Sequence, residues 1–145
     1  MNDGPLPAHS NPPVHLWLVG AAALVWFAIG SFDFGTAVLQ FESYQETLPD
    51  ELKSHWARFP IWLWLAWAIT SLGGLLGAIG LLLRRRWAIN LFWAAALDGA
   101  LGLLLSQSLP LPAGAGNMML SWLGVVFCFA LIAYAVWMNR RGVLR

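Results

Sequence analysis

Charge is what this sequence has least of. Lys, Arg, Asp and Glu together make 10% of its 145 residues, against about a quarter in soluble domains. So few charges cannot coat a water-exposed fold, which excludes an ordinary soluble globule. A net charge of +1 supplies no basic face to neutralise phosphates, so nucleic acid is not an expected partner. Cysteine is nearly missing too. The single Cys128 excludes an internal disulfide framework and a thiolate zinc site, and its mid-span place makes it inert. The three histidines, His9, His15 and His55, show no metal-binding spacing. There is no glycine loop for a nucleotide and no Ser-His-Asp set. No catalytic residue, cofactor or metal is therefore expected, and a membrane enzyme is the weakest functional reading.

What is present is apolar: 59% of the residues are hydrophobic. A membrane-spanning helix needs roughly 20 such residues in a row, because the hydrocarbon core is about 30 Å thick. Residues 14–32 and 59–83 carry no formal charge, 87–109 carry only Asp98, and 117–138 carry none. These stretches are apolar all round, whereas helices of a soluble bundle keep a polar face. The expected fold is an all-α integral membrane protein, a four-helix transmembrane bundle over residues 14–145. Its helices are expected at 15–38, 60–83, 87–107 and 117–139. The first is too long for the apolar part of a signal peptide and has no basic residue before it. Residues 1–13, with Pro5, Pro7, Pro12 and Pro13, read as a disordered tail.

Orientation follows from Lys and Arg in the short loops. Both termini and the loop between the second and third spans share one side, which carries Arg84, Arg85, Arg86, Arg140, Arg141 and Arg145. The other side carries Lys53 and Arg58. Both termini are therefore expected in the cytoplasm. Trp17, Trp87 and Trp137 would mark the inner interface, and Trp56, Trp62 and Trp122 the outer one. Trp26, Trp64, Trp67 and Trp93 lie deeper, where packing against core or lipid is the plain reading. In the outer loop, Thr47-Leu48-Pro49-Asp50 resembles a capped helix start. Leu48, Leu52 and Trp56 then recur every fourth residue, which predicts a short amphipathic helix on the outer surface, a tether or a lid.

Two acids fall in or near the bilayer. Asp98 lies about 18 Å into the third span, close to the midplane. An ionised carboxylate there is costly, about 2.5–3.5 kcal/mol on the insertion scale, so it should face the bundle interior. Thr70 and Ser71 lie at the same depth. Ala94, Ala95, Leu101 and Gly102 are its neighbours one turn away. Asp98 is a proton or cation site in one reading, and in the other a protonated acid hydrogen-bonded to Thr70 or Ser71. Asp33 sits near the outer end of the first span, where exposure is cheaper; its readings are an outer-facing site or a structural carboxylate. On the second span Ala66, Thr70, Gly73, Gly77 and Gly80 share a face at 3.6-residue spacing. Gly73 and Gly77 form a GxxxG pair, so this face is expected to pack closely on another helix, within a protomer or between protomers.

Trp17-Leu18-Val19-Gly20, Leu24-Val25-Trp26, Gly30, Phe32-Asp33-Phe34 and Thr36 resemble the first helix of a family of small, uncharacterised proteobacterial four-helix membrane proteins. The resemblance continues through Leu48-Pro49-Asp50-Glu51, Phe59-Pro60-Ile61-Trp62, Trp67, Gly73, Gly77 and Leu81-Leu82-Leu83. It ends on Tyr134-Ala135 and Arg141-Gly142-Val143-Leu144-Arg145. Members of that family often carry a sugar-transporter label and bring no catalytic residue set. Asp33 falls where the family pattern has an Asp before an aromatic residue, and Asp98 has no counterpart there.

Two functions follow as expectations. The first is a non-enzymatic structural or accessory membrane protein, favoured by the apolar spans and few intramembrane polar groups. The second is a small-solute transporter of the sugar type that uses an acidic residue. With no internal repeat to frame a site, it would work as a homo-oligomer. Where Asp33 and Asp98 point separates the two.

Overall fold

Two of the spans start behind a proline. Pro13 (φ −66°, ψ 144°) precedes the first helix and Pro60 (φ −67°, ψ 155°) the fourth. Proline sets extended backbone and has no N–H to leave unpaired where a helix enters the bilayer. The computed structural model describes residues 12–40, 42–106 and 118–145. It contains α1 (Val14–Leu39), α2 (Glu42–Gln45), α3 (Asp50–Trp56), α4 (Ile61–Leu82), α5 (Trp87–Ser106) and α6 (Met118–Arg140). The expected tail up to residue 11, and the expected helix ends at 107 and 117, lie outside the described residues.

Helices α1, α4, α5 and α6 are each long and apolar enough to cross a membrane, and together they form an all-α, membrane-spanning four-helix bundle. Each packs on the next in sequence: α1 on α4, α4 on α5, α5 on α6. Leu18, Val25, Ile29 and Phe32 of α1 point outward, as do Leu97, Leu101 and Leu104 of α5. In water this surface would drive aggregation; in a bilayer it faces lipid and costs nothing. Trp17, Trp62, Trp87, Trp122 and Trp137 are exposed near the span ends, as an interfacial belt requires.

The spans are packed unevenly along their length. At the end that carries both termini, Phe27, Leu81, Phe92, Leu131 and Met138 are buried together. Lipid is as apolar as leucine, so burial here gains little transfer energy and helix contact depends on close van der Waals fit. Glycines provide the room. A Cβ on Gly74 would strike the Phe27 ring of α1, one on Gly77 would come 2.8 Å from Phe92 of α5, and one on Gly80 2.6 Å from Trp87. Gly73 differs from the sequence expectation: nothing lies within 4 Å of a Cβ placed there. The reason is a π turn at Ile69–Gly73. A wide turn interrupts the 3.6-residue ladder, so Gly73 leaves the face that Ala66, Thr70, Gly77 and Gly80 present to α5.

The gap between α1 and α6 is bridged by side chains. His15 Nδ1 and Tyr134 Oη are 2.6 Å apart, and the His15 ring stacks on Trp137. Further along, Trp26 and Phe27 meet Phe127. Beyond α6 the chain turns back at Gly142 (φ 70°) and buries Val143 and Leu144 in the terminal end of the bundle.

In the connection between α1 and α4, α3 starts two positions later than a Thr47 cap implies. Pro49 precedes its first turn without a side-chain cap, and Thr47 Oγ1 instead donates to Tyr44 O at 2.7 Å, closing α2. Leu52 and Trp56 of α3 are half-buried while Asp50, Glu51 and Ser54 are exposed, the amphipathic arrangement expected. Lys53 pairs with Asp50 at 2.7 Å on the solvent side. The Lys53 ammonium holds the Asp50 carboxyl below its usual range.

Candidate intramembrane site

Between the halves of the spans nearer α3 lies a cavity of about 330 Å³. It exists because the residues facing inward at this level are small. Ala66 of α4, Ala95, Gly99 and Gly102 of α5, and Gly124 of α6 line it and carry too little side chain to fill the space between four backbones. In the terminal half Leu81, Phe92, Leu131 and Met138 point inward and pack against the buried glycines and alanines there.

Asp98 lines this cavity and accepts a 2.9 Å hydrogen bond from Thr70 Oγ1 across the α4–α5 contact. Close approach makes the bond possible: a Cβ on Gly99 would sit 3.4 Å from Thr70 Cγ2, and one on Gly102 3.9 Å from Ala66 Cβ. Ser71, the other candidate partner, is buried on the same turn but faces Gly30 of α1. Thr70 and Ser71 both belong to the π turn, and a wide turn inside an α-helix often re-aims side chains at a functional position. The face of α5 that meets the cavity is Ala95, Asp98, Gly99 and Gly102. Ala94 and Leu101 are exposed instead. Among the described residues the only ion pair is Lys53–Asp50, so no Lys or Arg neutralises Asp98.

The rest of the wall is mostly apolar. Trp26 of α1 and Trp67 of α4 supply flat aromatic surface, and Cys128 lies buried at the deep end. Trp67 is fixed on three sides: it stacks with Trp64 at 5.8 Å, and Phe34 and Trp56 each meet it at 5.6 Å. Through Trp56, α3 is therefore attached to the cavity wall. His55 and Phe59 complete the mouth, with rings 5.1 Å apart. Burial, and next the nearby Arg58 charge, hold the His55 ring below its ordinary pKa, so it is neutral at pH 7. α3 thus contributes His55 to the cavity lining.

Asp33 lies elsewhere. Its Oδ1 accepts a 3.2 Å hydrogen bond from Tyr44 Oη, and its backbone carbonyl accepts one from Thr36 Oγ1 at 2.9 Å. The Tyr44 ring also meets Phe32 edge-on. Burial and the Asp33 charge push the Tyr44 hydroxyl above its ordinary pKa. Asp33 anchors α2 to the end of α1 and does not line the cavity. The structure thus brings Asp98, Thr70 and Ser71 to one site and leaves Asp33 outside it.

Sequence reasoning did not single out His55, Phe59, Gly99 or Ser121 as parts of this site, because they come from four separate segments. The π turn carries a readable sign: two hydroxyl residues followed by a glycine pair, Thr70-Ser71-Leu72-Gly73-Gly74, in an otherwise apolar span. Among the described residues no cluster of His, Cys, Asp and Glu could hold a metal ion. In comparisons with protein-family models, curated proteins and solved structures, nothing matches the chain.

Proposed function

We propose that this chain is a non-enzymatic membrane protein that binds a small solute inside the bilayer, the transporter-type reading of the two set out above. One observation carries it: a cavity lined by all four spans holds the single mid-span carboxylate beside two tryptophans. A volume of about 330 Å³ falls at the lower end of the roughly 300–1,000 Å³ usual for small-molecule sites. Polar lining groups are few: Asp98, Thr70, Ser71, Ser121 and His55. A sugar would bury more hydroxyls than these can satisfy, each unpaired one costing about 1–3 kcal/mol. The lining suits a largely apolar solute that offers one hydrogen-bonding or cationic group to Asp98, with its body against Trp26 and Trp67. With the arginine-rich end in the cytoplasm of a bacterial inner membrane, the cavity opens outward beneath α3.

The accessory-protein reading keeps one support: both intramembrane acids already have a hydroxyl partner, Asp98 from Thr70 and Asp33 from Tyr44. Uptake into proteoliposomes separates the two. Labelled sugars, lipophilic amines and protons are offered to wild type, Asp98→Asn and Asp33→Asn. Amine uptake lost in Asp98→Asn and kept in Asp33→Asn is the expected result. No uptake of any of these by folded wild type would sink the solute-binding reading in favour of the accessory one.

A further inference from the structure

A second site lies at the opposite end of the bundle. Two helices there finish with the same backbone device. At the end of α6, Val143 N donates to Met138 O and Gly142 N to Asn139 O. At the end of α4, Arg85 N donates to Gly80 O and Arg84 N to Leu81 O. In each case the residue at the turn is left-handed, Gly142 at φ 70° and Arg84 at φ 60°. Glycine is the ordinary occupant of that position, because a Cβ there meets the following carbonyl. An arginine held in this conformation is a backbone outlier of the kind that gathers at functional sites.

The surroundings show what Arg84 is held for. Arg145 donates its backbone N–H to Arg84 O at 2.6 Å and accepts from Arg86 N at 3.0 Å. Arg84 Nε donates to Val143 O and Arg86 Nε to Leu144 O. The returning tail is thereby locked onto the loop between α4 and α5. The result is a cleft of about 300 Å³ lined by Arg84, Arg85, Arg145 and the exposed Leu83. Three arginines, whose guanidiniums are permanently charged, thus line one cleft. Among the described residues no Asp or Glu side chain lies at this end.

We propose that the Arg84–Arg85–Arg145 cleft binds an anionic phosphate group at the membrane interface. Guanidinium forks match phosphate oxygens in pairs, and juxtamembrane arginines attract anionic headgroups. Leu83, at the bilayer end of the cleft, would lie along the glycerol and first methylenes of a lipid. A lipid headgroup and free phosphate share this chemistry. The proposal is independent of the cavity at the other end.

The test uses the full chain in neutral detergent, titrated calorimetrically with dihexanoyl phosphatidylglycerol, dihexanoyl phosphatidylcholine and inorganic phosphate. Arg85→Gln/Arg145→Gln removes two cleft charges but keeps the Arg84 and Arg86 bonds to the tail. Arg140→Gln/Arg141→Gln removes the same charge from the same end, outside the cleft. The expected result is phosphatidylglycerol binding weakened about tenfold or more by the first pair and less than about threefold by the second. If loss of Arg145 loosens the tail, Arg85→Gln alone gives the same ranking. Binding by the lipid but not phosphate identifies a headgroup site, and equal competition by phosphate identifies free phosphate; either supports the cleft. Equal weakening by both pairs, or none by the cleft pair, would overturn it.

Discussion

Adding one methyl group at two glycines four residues apart should have opposite effects. Gly73 and Gly77 form the GxxxG pair of α4, and an unbroken helix would put both against α5. In the structure only Gly77 is there. A Cβ on Gly77 would lie 2.8 and 2.9 Å from Phe92 Cε1 and Cδ1, against the roughly 3.5–4.0 Å of comfortable carbon contact. Phe92 cannot withdraw. It is fully buried and stacked 6.2 Å from Phe27, whose own ring fills the space above Gly74. Overpacking of this kind costs about 1–3 kcal/mol, which exceeds the 0.5–1 kcal/mol or so that Ala gains over Gly in a helix. Gly77→Ala should therefore destabilise by about 1–2 kcal/mol. Gly73 has ordinary helical dihedrals (φ −63°, ψ −44°) and open space around it. Gly73→Ala should receive the helix gain alone and stabilise by about 0.5–1 kcal/mol. Thermal unfolding in a mild detergent, followed by tryptophan fluorescence, measures both. If Gly73→Ala is the less stable of the two, the face runs unbroken through Gly73 and the inferred effect of the π turn is wrong.

Three other outcomes are expected. Thr70→Val deletes the donor to Asp98 and should lower stability by about 0.6–1.7 kcal/mol, the range for hydrogen bonds between membrane helices; Thr70→Ser should restore it, and a fully stable Val variant would refute the bond. Leu144→Ala should lower stability by about 2–5 kcal/mol, because Leu144 is fully buried; no shift in the same unfolding curve would mean that the tail is not docked. His55 is held below its ordinary pKa, so the fold favours its neutral form. That contribution is complete above about pH 6.5 and is lost as pH falls below it. His55→Gln should flatten this acid-side loss in a stability–pH series, and an unchanged slope would show that His55 does not set it.

That four segments are long and apolar enough to span a membrane was legible in the residues alone. Scarce charge and four long apolar runs leave one physical outcome, because a bilayer tolerates only backbone that bonds within its own helix. Most span limits, a short amphipathic helix between the first two long spans and the Thr70–Asp98 level were readable from spacing, since helical rise and period are fixed; Trp56, expected at the outer interface, instead packs on Trp67. Tertiary structure alone decided the rest. The π turn moved Gly73 off the packed face, which no 3.6-residue pattern can show. Whether Asp33 or Asp98 occupies a cavity depended on which inward positions of four separate helices carry small residues, and that is a property of the assembled bundle. The arginine cleft required the tail to turn at Gly142 and pair with a loop some sixty positions earlier. Local periodicity specifies each helix; the spaces between helices, where ligands fit, come from side chains distant in sequence meeting or failing to meet.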